Sequence, residues 1–191
     1  FGDDAINANE IFVPVRMRKA FIKAQKGNGA LIFGQTDDII NPLIPSTIDF
    51  SIGLTYGNLG FWRHQLGYEY NIDNIKIQAS LNRAYKDREN VGIPDFQTRL
   101  SYNSEMITAG LGFLYGLEDS TGSMPPVDAK ETLKVMAIGL DFKLILAGIV
   151  IKGEGYTGEN VGDYFGMTGR GQKEIGGFLD AGYSVGNSTI T

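Results

Sequence analysis

The chain contains no cysteine. This removes disulfide frameworks, thiolate nucleophiles and cysteine-ligated metal centres together, though it leaves the compartment open. Histidine is almost as scarce. His64 is the single one, and it shares an alternating face with Trp62 and Leu66 without a base or metal partner nearby in sequence, which points to a surface or interface role rather than catalysis. Long apolar runs are missing as well. The longest, Leu144 to Ile151, falls far short of the roughly 20 residues a membrane-spanning helix needs, so a chain of this kind crosses a bilayer only as strands. Clustered positive charge is also absent. With 17 Lys and Arg against 22 Asp and Glu, the net charge is -5, and no basic patch offers a phosphate-binding face, which excludes nucleic acid as a partner. No basic segment followed by an apolar one opens the chain at Phe1, so a signal peptide is either removed or not included.

What the chain does have is 26 glycines and a regular punctuation. Short connections fall at Lys26–Gly29, Ile72–Asn74, Asn103–Glu105, around Lys143–Leu146 and at Val185–Ser188; each suits a tight hairpin. Long ones fall at Asp37–Asn58, Asp87–Pro94, Gly116–Glu131 and Gly158–Lys173, rich in the Gly, Pro, Asp, Asn and Ser of surface loops. Short and long alternate strictly. An outer-membrane barrel sorts its connections this way, with short periplasmic turns and long extracellular loops; a soluble sandwich has no reason to.

Within the segments, period two separates two faces. Trp62, His64, Leu66, Tyr68 and Tyr70 oppose Arg63, Gln65, Gly67 and Glu69, while Ile75, Ile77, Ala79 and Leu81 oppose Lys76, Gln78, Ser80 and Asn82. Phe96, Thr98, Leu100 and Tyr102 oppose Gln97, Arg99 and Ser101, and the segment Ile107–Tyr115 sets large apolar residues against Thr108, Gly110 and Gly112. The later segments follow with impurities: Met136, Ile138, Leu140, Ile149 and Ile151 oppose Asp141, Lys152, Glu154 and Tyr156. The first segment, Phe12–Gln25, groups Arg16 and Arg18 with Ala20 and Ile22, and puts Lys19 and Lys23 on the face of Phe21. A lysine facing lipid near the midplane costs about 2–4 kcal/mol, so Lys19 marks either a subunit contact or a shifted register.

The expected fold is therefore all-β: an antiparallel transmembrane β-barrel in a single domain over residues 1–191, with nine strands and the opening of a tenth at Ser188. The first connection is a short one, which starts the first strand on the outside, whereas a complete bacterial barrel has an even strand number and both termini inside. The expectation is an internal piece of a larger barrel, truncated at both ends and of about 16 strands when complete. A closed ten-stranded barrel is the structural alternative.

Three runs carry a family likeness. RMRKAFIKAQ (Arg16–Gln25), LIFGQTDDIINPLIPSTIDF (Leu31–Phe50) and GNLGFWRHQLGYEY (Gly57–Tyr70) resemble, in order and spacing, the DcaP-like outer-membrane porins. In that family an Arg-rich strand leads to a Gly-Gln-Thr strand, a Pro-containing loop and a strand with an Arg-x-Gln core, here Arg63 and Gln65. PDFQTRLSY (Pro94–Tyr102) and KGEGYTGENVGDYFG (Lys152–Gly166) look like later strands of related porin-like proteins. The chain departs from the pattern at Asp37, where the family usually has an aromatic residue. The resemblance implies a homotrimeric diffusion channel in the bacterial outer membrane, in contact with lipid and lipopolysaccharide, that passes small and often anionic solutes.

With polar faces inward, the candidate pore-lining residues are Arg16, Arg18, Arg63, Gln65, Glu69, Lys76, Arg99, Lys152 and Glu154, with Asp141 and Asp180 adding negative charge. Arg16, Arg18, Arg63 and Arg99 either form a basic ladder that orients carboxylates or phosphates, or pair with lumen carboxylates and merely solvate a polar interior. The Asp37–Asn58 loop, stiffened by Pro42 and Pro45 around Ile39, Ile40, Leu43 and Ile44, either folds inward as a constriction, caps the outside or meets another subunit. Enzyme-like signals fall away. Gly153, Gly155 and Gly158 spell G-x-G-x-x-G but sit at a strand end rather than opening a helix. The acid pairs Asp37/Asp38 and Glu118/Asp119 lack Ca²⁺-loop spacing and read as solvated loop charge. The sequon Asn187-Ser188-Thr189 is a chance match. No enzyme activity, cofactor or metal is expected. The alternatives to a channel are a barrel with a plugged lumen and a structural or surface-interaction role, and a soluble β protein.

Overall fold

The computed structural model describes residues 19–40, 42–45, 62–84, 92–119, 132–161, 173–185 and 188–190. These form one antiparallel sheet in which every strand pairs only with its sequence neighbours. The strands are β1 (Ala20–Lys26), β2 (Gly29–Asp37), β3 (Trp62–Ile72), β4 (Ile75–Asn82), β5 (Asp95–Asn103), β6 (Ile107–Asp119), β7 (Thr132–Leu146), β8 (Ile149–Glu159), β9 (Lys173–Val185) and a three-residue β10 (Ser188–Ile190). In such a meander successive connections alternate between the two ends of the sheet, so the short turns gather at one end and the long connections at the other. Among the described residues β1 and β10 are the two edges, with no pairing between them. No described helix is long and apolar enough to cross a membrane, which says nothing about strands.

Register follows the alternation read from sequence. Arg63, Gln65, Gly67 and Glu69 are buried while His64, Leu66, Tyr68 and Tyr70 between them are exposed; the same division holds in β5, where Asp95, Gln97, Arg99 and Ser101 are buried between exposed Phe96, Leu100 and Tyr102. The apolar rows run unbroken across strands. Tyr70, Ile77, Leu100, Leu111 and Leu140 lie side by side on β3 to β7, and all five are exposed.

Three sequence expectations need correction. Gly116–Asp119, expected to open a long connection, belong to β6 and pair with Thr132–Val135 of β7. The turn between β7 and β8 lies at Ala147–Gly148, beyond the expected Lys143–Leu146, and both residues have positive φ, 48° and 86°, as a type I′ hairpin requires. The apolar run from Leu144 to Ile151 hid it, because both strands end in residues that look like strand interior. In β1 the face turned toward the polar side carries Phe21, Lys23 and Gln25, which stand opposite Gly34, Ile32 and Ala30 of β2. Ala20 and Ile22 face the other way, beside Phe33 on β2. On that polar face Lys23 forms an ion pair with buried Glu69, and Lys19 pairs with Asp37 at 2.6 Å. Arg16 and Arg18 lie outside the described residues.

Candidate functional site

Asp38–Ile40 leave the end of β2 and, with Pro42–Pro45, form a strap on the polar face of the sheet. Of the Asp37–Asn58 loop, residues 37–40 and 42–45 are described, and these lie on the polar face of the sheet; the rest of the loop lies outside the described residues. Five side chains from three strands fasten it. Arg63 on β3 meets the Asp38 carboxylate at 3.3 Å, and Gln97 on β5 donates to the same carboxylate at 2.9 Å. The Gln97 side-chain oxygen then accepts from the backbone N–H groups of Ile39 and Ile40, at 2.9 and 3.3 Å. Arg99 donates to the Ile40 carbonyl at 3.1 Å. Gln65 anchors the strap's root by donating to the carbonyls of Asp37 and Thr36, at 2.7 and 3.3 Å, and Lys152 on β8 holds its far end by donating to the Ile44 carbonyl at 2.7 Å. These bonds satisfy backbone groups that a strap lying on a sheet would otherwise leave unpaired.

Small residues make room for it. Across β5 and β6, Arg99 stands opposite Gly112, and Gly110 stands between Ser101 and Asp141. The absence of a side chain at Gly110 lets the Arg99 guanidinium pass over β6 and form a two-pronged ion pair with Asp141 on β7, one prong at 2.8 Å. A side chain at Gly112 would collide with the Ile40 backbone itself. Ile40 sits fully buried with Leu114, Val135, Ala137 and Val161, and Tyr156 packs against the group. The strap is thus pinned by one apolar plug and by paired charges around it.

Arg63 and Arg99, the two described members of the expected ladder, are closed on carboxylates. They are only 5% and 4% exposed, and a fork-shaped guanidinium satisfied by a carboxylate and a carbonyl has little left to offer a solute. Glu69 takes both Lys23 and, at 3.8 Å, Lys76. Lys152 pairs with Asp180 at 3.4 Å, and Glu154 is buried directly opposite Asp141. The sequence-derived lining residues Arg63, Gln65, Glu69, Lys76, Arg99, Lys152 and Glu154 therefore share one face, on which Arg63, Glu69, Lys76, Arg99 and Lys152 are held in ion pairs.

No family model, curated protein or solved structure matches the chain. The likeness to DcaP-like porins accordingly rests on the sequence motifs alone.

Sequence reasoning missed Asp38, which is 1% exposed and not a solvated loop acid, and it missed the part played by Gln97. The signal lay in two matching dyads, Arg63-x-Gln65 and Gln97-x-Arg99, on strands of like direction and both on the inward register. Gly153, Gly155 and Gly158 lie within β8 rather than only at its end, and His64 is exposed on the apolar face. No cluster of metal ligands occurs among the described residues.

Between the strap and the short-turn halves of the strands lies a groove of ≈ 290 Å³, close to the lower end of the roughly 300–1,000 Å³ usual for small-molecule sites. Ile39, Pro42 and Leu43 of the strap form one wall, and Gln78, Ser101 and Thr108 of the sheet form the other.

Proposed function

We propose that this sheet is part of a β-barrel in a bacterial outer membrane and that it forms a channel for passive diffusion of small solutes, in the manner of the DcaP-like porins it resembles. One observation carries the reading: the polarity of the sheet is inverted relative to a soluble protein. Gln65, Gln97, Arg99 and Asp141 are buried, while Phe33, Leu66, Leu100, Leu111, Leu140 and Leu179 are exposed. Roughly twenty large apolar side chains exposed by about half amount to on the order of 2,000 Å², several times the largest patch on a typical soluble monomer. At about 25 cal/mol per Å², leaving that surface in water forgoes roughly 50 kcal/mol of transfer free energy that lipid would recover. A polar lumen on the other face, narrowed by an inward strap, suits a diffusion pore. The short-turn end is then periplasmic, the long connections are extracellular, and lipid and lipopolysaccharide surround the apolar face in a homotrimer.

The strap also favours a second reading, a barrel whose lumen is plugged and whose role is structural. Planar-bilayer recording separates the two. Stepwise conductance in KCl is expected from a channel; a correctly inserted protein that passes no current selects the plugged barrel, and solubility without detergent overturns both.

A further inference from the structure

From the chemistry of its walls, we infer that the groove under the strap is a binding subsite for small neutral solutes carrying several hydroxyl or amide groups. The inference rests on the channel reading and adds the class of solute. Of the charges that line the groove, Arg99 is paired with Asp141, Asp38 with Arg63 and Asp37 with Lys19, while Lys76 has a share of Glu69 at 3.8 Å. Glu69 is shared by two lysines, but the side chains of Lys23 and Lys76 are 39% and 34% exposed, so their excess charge is hydrated and screened. An incoming ion would shed water and gain at most one hydrated, screened counter-charge, which leaves a net cost.

What converges on the groove instead is Gln78, Ser101, Asn103 and Thr108, a set of neutral donors and acceptors able to replace the hydration of hydroxyl and amide groups. Across from them Ile39, Pro42 and Leu43 give an apolar wall suited to the C–H face of a compact polyol. One polar side and one apolar side match a solute of that kind better than a small inorganic ion.

Glucose and gluconate, alike in size and differing in charge, are the probes. Their uptake is measured in proteoliposomes of the full protein, with valinomycin and potassium holding the membrane potential at zero. The expected result is glucose entry several-fold faster than gluconate entry, with Gln78→Leu and Thr108→Val each cutting that ratio about threefold, as loss of one hydrogen bond between neutral groups predicts. Gluconate entering as fast as glucose, in a protein that conducts KCl, overturns the inference while leaving the channel standing. If no conductance occurs, the channel reading falls and the groove is judged by binding: saturable broadening of glucose resonances with detergent-solubilised protein, lost in Gln78→Leu, supports the subsite, and its absence refutes it.

Discussion

Gly112→Ala tests the strap most directly. A methyl carbon placed there lies 2.1 Å from the Ile40 carbonyl oxygen, 2.8 Å from its carbonyl carbon and 2.9 Å from its Cα. All three are backbone atoms, so no rotamer change relieves the clash, and the strap must retreat by about 1 Å to restore ordinary contact. That movement takes the bond the Ile40 N–H donates to the Gln97 side-chain oxygen, now 3.3 Å, and the one Arg99 donates to the Ile40 carbonyl, now 3.1 Å, past useful length. Two such bonds contribute about 2–3 kcal/mol together, and partial withdrawal of Ile40 from its pocket adds about 1 kcal/mol. Alanine recovers roughly 0.5–1 kcal/mol over glycine in a strand. The net expectation is a destabilisation of about 2–4 kcal/mol in urea titrations of protein folded into lipid vesicles, with an altered single-channel conductance. Gly155→Ala is the control, because its nearest non-neighbour atom would be 3.9 Å away and its effect should be nil or slightly stabilising. Equal stability and equal conductance in the wild type and Gly112→Ala would refute the pinned strap.

Arg99→Leu should cost about 3–5 kcal/mol, because it strands the Asp141 carboxylate in a buried site; the double variant Arg99→Leu/Asp141→Leu should be less destabilised than the single one, a sign change that a double-mutant cycle reads directly. Leu111→Arg, central in the exposed apolar row, should cost about 2–4 kcal/mol in vesicles if that row faces lipid, and a near-zero effect would count against the membrane reading. Gly148→Val, at φ 86°, should cost at least 1 kcal/mol through backbone strain and slow formation of the β7–β8 hairpin.

The strand order and nearly all of the polar-face register were legible in the sequence, since a period-two pattern with one buried face leaves a single consistent pairing. β1 was the exception. Its faces carry cations and apolar residues in equal measure, and only the partner across the sheet, Glu69 for Lys23, decides between them. The site was half legible. Arg63, Gln65 and Arg99 could be placed on the inward face, but whether an inward arginine is available or closed depends on Asp38 and Asp141, reached through a loop and across a glycine that local periodicity cannot see. A two-residue turn buried in an eight-residue apolar run failed for a similar reason: its signal is a pair of backbone conformations rather than a change of hydropathy.

The strap has a consequence for the order in which the molecule assembles. Every strand pairing joins sequence neighbours and can form as a growing series of hairpins, whereas the bond from Lys152 to Ile44 spans 108 residues and that from Arg63 to Asp38 only 25. Closing the longer loop costs about 1.3 kcal/mol more chain entropy than closing the shorter, and its partner strand does not exist until β7 and β8 have docked. The strap is therefore tied at its root early and at its tip last, so that Ile44 meeting Lys152 marks the sheet as finished across β3 to β8. A chain that stalls before β8 carries a strap fastened at one end only, which a protease added during refolding would find and cut.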